Sequence, residues 1–138
     1  MHLANDFAIL AAATIDFGEV DAVVPVPLHP NRRRERGYNQ SELVADGIAR
    51  LGERPAFPHA LARVVDTPHQ TRSGREQRLA AVKDAFAPAI PSQIRGRTIL
   101  LVDDVVTTGA TLSACAAALK AAGAARILAF AVARASLD

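Results

Sequence analysis

ILLVDDVVTTGATL, residues 99–112, runs four apolar residues straight into two adjacent carboxylates, Asp103 and Asp104. Two further valines follow, and then Thr107-Thr108-Gly109-Ala110-Thr111. Thr98 to Val102 read as a buried strand, and a helical pattern over about 110–122 carries Leu112, Cys115 and Leu119 on one side before Gly123 stops it. A stable core has no use for two like charges at the end of its most apolar segment. In parallel α/β sheets, however, ligands bind beyond the carboxyl ends of strands, where helix N-termini also point. Small residues and Gly109 let successive N–H groups converge there, the helix dipole adds positive potential, and the hydroxyls of Thr107, Thr108 and Thr111 add donors. Thr107 to Thr111 therefore form a candidate phosphate cradle one short loop from two carboxylates. Carboxylates repel phosphate, so the ligand has to offer them something else. A sugar diol or a hydrated Mg²⁺ fits, and a sugar phosphate satisfies both halves of the motif. The competing readings are a solvated acidic pair and an ordinary helix start; the Thr-rich loop beside the acids favours the ligand.

Outward from this stretch, strands alternate with helices. Residues 126–132 form another apolar strand. DAVVPVP, residues 21–27, is a valine-rich buried strand kept short by Pro25 and Pro27. Ser41 is the expected N-cap of a helix over about 42–51, with Leu43, Val44, Ile48 and Leu51 as its apolar face and Gly52 and Pro55 as its end. Residues 61–65 predict a second strand, 66–75 a polar loop, 76–83 a short helix and 88–96 a connection. Residues 2–13 predict an N-terminal helix, and 16–19 a turn. The fold class is α/β, with a mainly parallel sheet flanked by helices. One domain spans 1–138: an N-terminal helical segment over 1–19 and a core over 20–138.

With half of its 138 residues hydrophobic and a mean hydropathy of +0.13, the chain suits one domain with a real core and not a disordered segment. Its formal charge is only +2, and arginine supplies most of the basic side chains, Lys83 and Lys120 being the only lysines. Arginine suits phosphate oxygens. Cys115 is the only cysteine, which excludes a disulfide framework; it sits on the apolar helix face as a core residue. The four histidines lack paired metal-ligand spacing. No stretch approaches the roughly 18 apolar residues of a membrane span, so a cytoplasmic protein with no membrane partner is expected. No GxGxxG or GxxxxGK[ST] motif occurs.

Residues 99–111 resemble, position for position, the thirteen-residue signature of the type I phosphoribosyltransferases. VPVPLHPNRRRERGYNQSELVA (24–45), RVVDTPHQ (63–70) and Ala85-Phe86 are similar to the competence-associated ComF branch of that superfamily. The resemblance implies that Asp103 and Asp104 take the ribose hydroxyls of phosphoribosyl pyrophosphate (PRPP). Thr107, Thr108, Gly109, Ala110 and Thr111 would hold its 5′-phosphate. Pro27, Leu28, His29 and Arg32 are the implied pyrophosphate loop. Residues 66–82, with Gln70, Arg72 and Arg75, are the candidate closing loop, and Mg²⁺ is expected with PRPP near the acids. Tyr38 and Asn39 are read as loop anchors. Two departures stand out: a chain with one cysteine has no counterpart of the family's N-terminal four-cysteine zinc module, and its ERxxN motif becomes Gln77-Arg78-Leu79-Ala80-Ala81. The implied activity is Mg²⁺-dependent transfer of phosphoribose with release of pyrophosphate. The alternative is a PRPP sensor or DNA-uptake accessory whose arginines at 32–36 contact single-stranded DNA or uptake proteins, against which stands an aromatic content of 4%. A homodimer is carried as a further expectation.

Overall fold

The computed structural model describes residues 14–28, 34–35, 37–64, 84–106 and 108–134. Its centre is the strand predicted from residue 98. This strand, β4 (Thr98–Val106), lies between β1 (Ala22–Pro25) and β5 (Arg126–Arg134) and is parallel to both. Side chains alternate across a strand, so the two faces of the sheet are filled separately. Ala22, Val24, Val26, Ile99 and Leu101 pack on one face with Cys115 and Leu119 of α2 (Ala110–Ala121). Val23, Leu100 and Val102 pack on the other with Val44, Ala45, Ile48 and Ala49 of α1 (Gln40–Gly52). Burial on both faces explains why β1 and β4 read as unbroken apolar runs. The α/β fold with a parallel sheet flanked by helices is the one the sequence predicts.

The prolines fall where the sheet tolerates them. Val23 donates outward to the Pro55 carbonyl at 2.9 Å, and Val26 donates inward to Val102 at 2.8 Å. That alternation turns the missing donor of Pro25 away from β4. Strand pairing ends at Pro25 opposite Val102, so β1 is shorter than the predicted 21–27.

Several boundaries differ from expectation, each for a local reason. Asn39, not Ser41, caps α1: its side-chain oxygen accepts from the Ser41 amide at 3.1 Å. The buried stripe of α1 is Val44, Ala45, Ile48 and Ala49, while Leu43 and Leu51 are exposed; the alanines let the helix lie close to the sheet. The helix runs through Gly52, and Glu53 adopts the left-handed conformation beyond it (φ 53°). Gly52 serves close approach instead, since a Cβ there would sit 2.3 Å from the Phe17 ring. The predicted turn at 16–19 is a 3₁₀ turn over Phe17–Glu19, capped by the Asp16 carboxylate. Arg54 ties that turn to the end of α1 by donating to the carbonyls of Val20 (2.7 Å) and Phe17 (2.8 Å).

The strand predicted at 61–65 is shorter, β2 (Leu61–Arg63). It pairs antiparallel with β3 (Phe86–Pro88), which the sequence pattern did not reveal, to form a separate two-stranded sheet. Buried Ala60, Leu61, Ala85 and Phe86 join the α2-side core. The 88–96 connection contains a 3₁₀ turn over Pro91–Gln93. After α2, Gly123 takes φ 95°, as its place at the helix stop requires. Cys115 is fully buried in the core as expected, and burial, with the Asp103 charge second, pushes its thiol pKa up, which keeps it protonated. The predicted helices at 2–13 and 76–83 and the loop at 66–75 lie outside the described residues. Among the described residues, no helix is long and apolar enough to cross a membrane.

Candidate functional site at the carboxyl end of β4

β4 does not end before the acids, as the sequence suggested, but runs through both to Val106. The cause is β5, which keeps pairing past them: Asp103 lies opposite Ala131 and Val105 opposite Ala133. On the other side, β1 has already left the sheet. Among the described residues, the acids thus sit on a strand paired along one flank only.

Asn39 and Ser41 meet the other flank. The Asn39 side-chain amide donates to the Val26 carbonyl at 3.1 Å, tying the start of α1 to the end of β1; this matches the anchoring role expected of it. Ser41, in the first turn of α1, is buried and reaches the acids. The Asp104 amide donates both to Asp103 Oδ1 at 2.8 Å and to Ser41 Oγ at 3.1 Å. Ser41 Oγ in turn donates to Asp103 Oδ1 at 3.3 Å. Asp104 Oδ1 accepts from the Val105 amide at 2.8 Å. Both donors to Asp103 reach its Oδ1, and the Val105 amide reaches Oδ1 of Asp104. Asp103 is only 7% exposed. Burial raises its pKa from 3.8 to about 7, helped by a side-chain hydrogen bond with Asp104 and by that neighbour's charge, while the Asp104 amide and Ser41 pull it down.

The sequence reading missed Ser41 as a site residue. Its signal was there: position 41 falls on the same stripe as Val44, Ala45 and Ile48, and a polar residue on a buried stripe needs a partner.

Across the site, α2 begins without a side-chain cap. Gly109 occupies the cap position with φ 83°, a conformation costly for residues bearing a Cβ. Thr108 Oγ1 accepts from the Ala110 amide at 3.2 Å. Among the described residues the Leu112 amide has no acceptor one turn back, and the first such bond runs from Ser113 to Gly109 at 2.9 Å. A small cavity opens here, lined by Asp103, Val105, Val106 and the first turn of α2 from Gly109 to Leu112. Asp103 and the first turn of α2 therefore face one space.

Thr108, Gly109, Ala110 and Thr111 stand together at this helix start, whereas Thr107 lies outside the described residues. Pro27 (buried) and Leu28 (half-buried) follow Val26 where the chain leaves the sheet, near the level of the acids. His29, Arg32, Gln70, Arg72 and Arg75 lie outside the described residues.

The phosphoribosyl transferase domain model matches residues 31–136. The chain belongs to this family. A competence protein F from Haemophilus influenzae is 34% identical over 116 residues, which is 83% of this chain and 51% of that protein. The DNA utilization protein YhgH of Escherichia coli is 36% identical over 107 residues, 78% of this chain and 46% of that one. These relatives put the domain in the ComF-like branch, and it spans about half of their length. A purine phosphoribosyltransferase from Pyrococcus horikoshii shares the fold, with a TM-score of 0.57 at 18% identity, over 98% of this chain and 85% of that one.

Proposed function

We propose that the domain binds PRPP with Mg²⁺ and transfers its phosphoribosyl group to an acceptor, releasing pyrophosphate. The observation that carries this is the uncapped start of α2 at Gly109, opening onto the same cavity as Asp103. The 5′-phosphate accepts hydrogen bonds from the amides of that first turn and from the hydroxyls of Thr107, Thr108 and Thr111. The ribose diol donates to the carboxylates of Asp103 and Asp104. With both ends of the sugar held, the bond from the anomeric carbon to pyrophosphate breaks, its electron pair leaves on oxygen, and the acceptor attacks the resulting oxocarbenium-like carbon. The protein orients, excludes water and stabilises charge, and supplies no nucleophile of its own.

The donor set suits Mg²⁺ in part. Asp103 and Asp104 offer hard oxygens, but no group of three or more His, Cys, Asp or Glu able to hold a metal ion occurs among the described residues. The ion would therefore share its coordination with PRPP oxygens and water. When bound it neutralises charge on the departing pyrophosphate.

Pro27, Leu28, His29 and Arg32 are the proposed pyrophosphate contacts, and Gln70, Arg72 and Arg75 the proposed closing loop. A screen of nucleobases and amines for Mg²⁺- and PRPP-dependent pyrophosphate release tests the reaction. Release with one acceptor supports it. PRPP binding without release under any acceptor favours the second reading, a PRPP-responsive accessory in DNA uptake, to which the names of the two bacterial relatives point. Steeply salt-dependent binding of single-stranded DNA would then be expected.

A further inference from the structure

We propose that Ser41 is a positioning residue of the sugar site, its hydroxyl holding one oxygen of the Asp103 carboxylate so that the other faces the ligand. The inference rests on the reading of Asp103 as a ribose acceptor. A serine hydroxyl has one proton to give. At Ser41 the Asp104 amide already occupies an acceptor position of Oγ at 3.1 Å, so the proton points to Asp103 Oδ1, 3.3 Å away. Together with the Asp104 amide at 2.8 Å, this gives Oδ1 two donors. A carboxylate gripped by one oxygen presents the other in a fixed direction.

Packing does not require the hydroxyl. Ala45 and Ala49 fill the same buried stripe of α1 without one, and Ser41 itself is 3% exposed. The Asp104 amide does not require it either, since Asp103 Oδ1 already accepts from that amide. The scaffold behind Ser41 is rigid: Asn39 holds the Ser41 amide at 3.1 Å and the Val26 carbonyl at 3.1 Å, linking the end of β1 to the acid pair through the first turn of α1. The hydroxyl's remaining use is to orient Asp103.

Two measurements test this. The first follows the Asp103 side-chain carboxyl carbon by NMR in ligand-free protein, assigned by its disappearance in Asp103→Asn. Ser41→Ala should shift that signal while leaving the other carboxyls and the fold in place. The second is a double-mutant cycle in PRPP–Mg²⁺ affinity. Ser41→Ala alone should weaken binding about tenfold, and should weaken it little further when Asp103 is already Asn, because the hydroxyl acts through the carboxylate. An unmoved carboxyl signal overturns the proposal. So does a full second loss on the Asp103→Asn background. If Asp103→Asn itself binds PRPP as wild type does, the ribose reading is what falls, and the ligand-free carboxyl signal still decides whether Ser41 orients Asp103.

Discussion

The two long helices start at the same end of the sheet and are finished in opposite ways. At α1 the chain closes its own helix start: Asn39 accepts from the Ser41 amide and grips the Val26 carbonyl, and both Asn39 and Ser41 are buried. At α2 the cap position is Gly109, with no side chain to offer. A capping side chain typically stabilises a helix by about 1 kcal/mol, and the Gly109 cap position of α2 forgoes it where a cavity meets Asp103. The first start is built for stability, with its serine lent to the acids. The second is where the proposed 5′-phosphate would sit. That start lies beside the buried carboxyl of Asp103, which is why it is the proposed phosphate position.

The contrast breaks most visibly if α2 is supplied with an anion of its own. Gly109→Asp places a carboxylate where the phosphate is proposed to sit. PRPP affinity should fall by about a hundredfold or more, since like charges brought together cost several kcal/mol. Titration with PRPP–Mg²⁺, and with inorganic phosphate as a simpler probe, reads the loss; affinity near that of wild type would place the phosphate elsewhere.

Next in size is a pH effect at the acids. The Asp103 pKa is raised from 3.8 to about 7 on folding, chiefly by burial. The folded state therefore takes up the proton more readily than the unfolded chain. The stability this contributes is fully present below about pH 4 and is lost as pH rises through 7, with a slope of up to ~1.4 kcal/mol per pH unit. Asp103→Asn removes the titration, so in urea melts the variant should be more stable than wild type at pH 8 and the gap should close below pH 4. A constant gap across that range would mean the carboxyl does not titrate as described. Ligand binding should strengthen in wild type as pH rises through 7, because the acceptor is the ionised form.

The smallest effect belongs to the closed helix. Asn39→Ala should lower stability by about 1 kcal/mol and PRPP affinity only modestly, because Ser41 remains in place. A loss of affinity equal to that of Gly109→Asp would make α1 as much a ligand contact as α2 and erase the difference between them.

Much of this was legible in sequence because it is local. Five residues of strand and a Thr-Gly turn suffice to put Asp103 and Asp104 beside a helix start, and the alternation of β1 and β4 is written in their valines and leucines. What was not legible depends on contacts far apart in the chain. Asn39 and Ser41 are equally good caps by type. Only Asp103, 62 positions away from Ser41, draws the serine off and leaves the cap to asparagine. The extension of β4 through both acids likewise needs the nine residues of β5 opposite it. β3 has three residues, too few for a period to show. The exposure of Leu43 and Leu51 follows from which stripe of α1 meets the sheet, which helical spacing alone leaves open.

The central claim, that the acid pair faces a ribose, is tested most directly by titration calorimetry of PRPP with Mg²⁺ into wild type and into Asp103→Asn/Asp104→Asn. The double substitution keeps the shape and one acceptor oxygen at each position but removes charge-assisted bonds of roughly 1.5–3 kcal/mol each. Affinity should drop by about one to two orders of magnitude per lost bond, with the circular dichroism spectrum unchanged and thermal stability no lower than that of wild type. Equal affinity in the two folded proteins would contradict it, and Asp103 and Asp104 would then face something other than the sugar of PRPP.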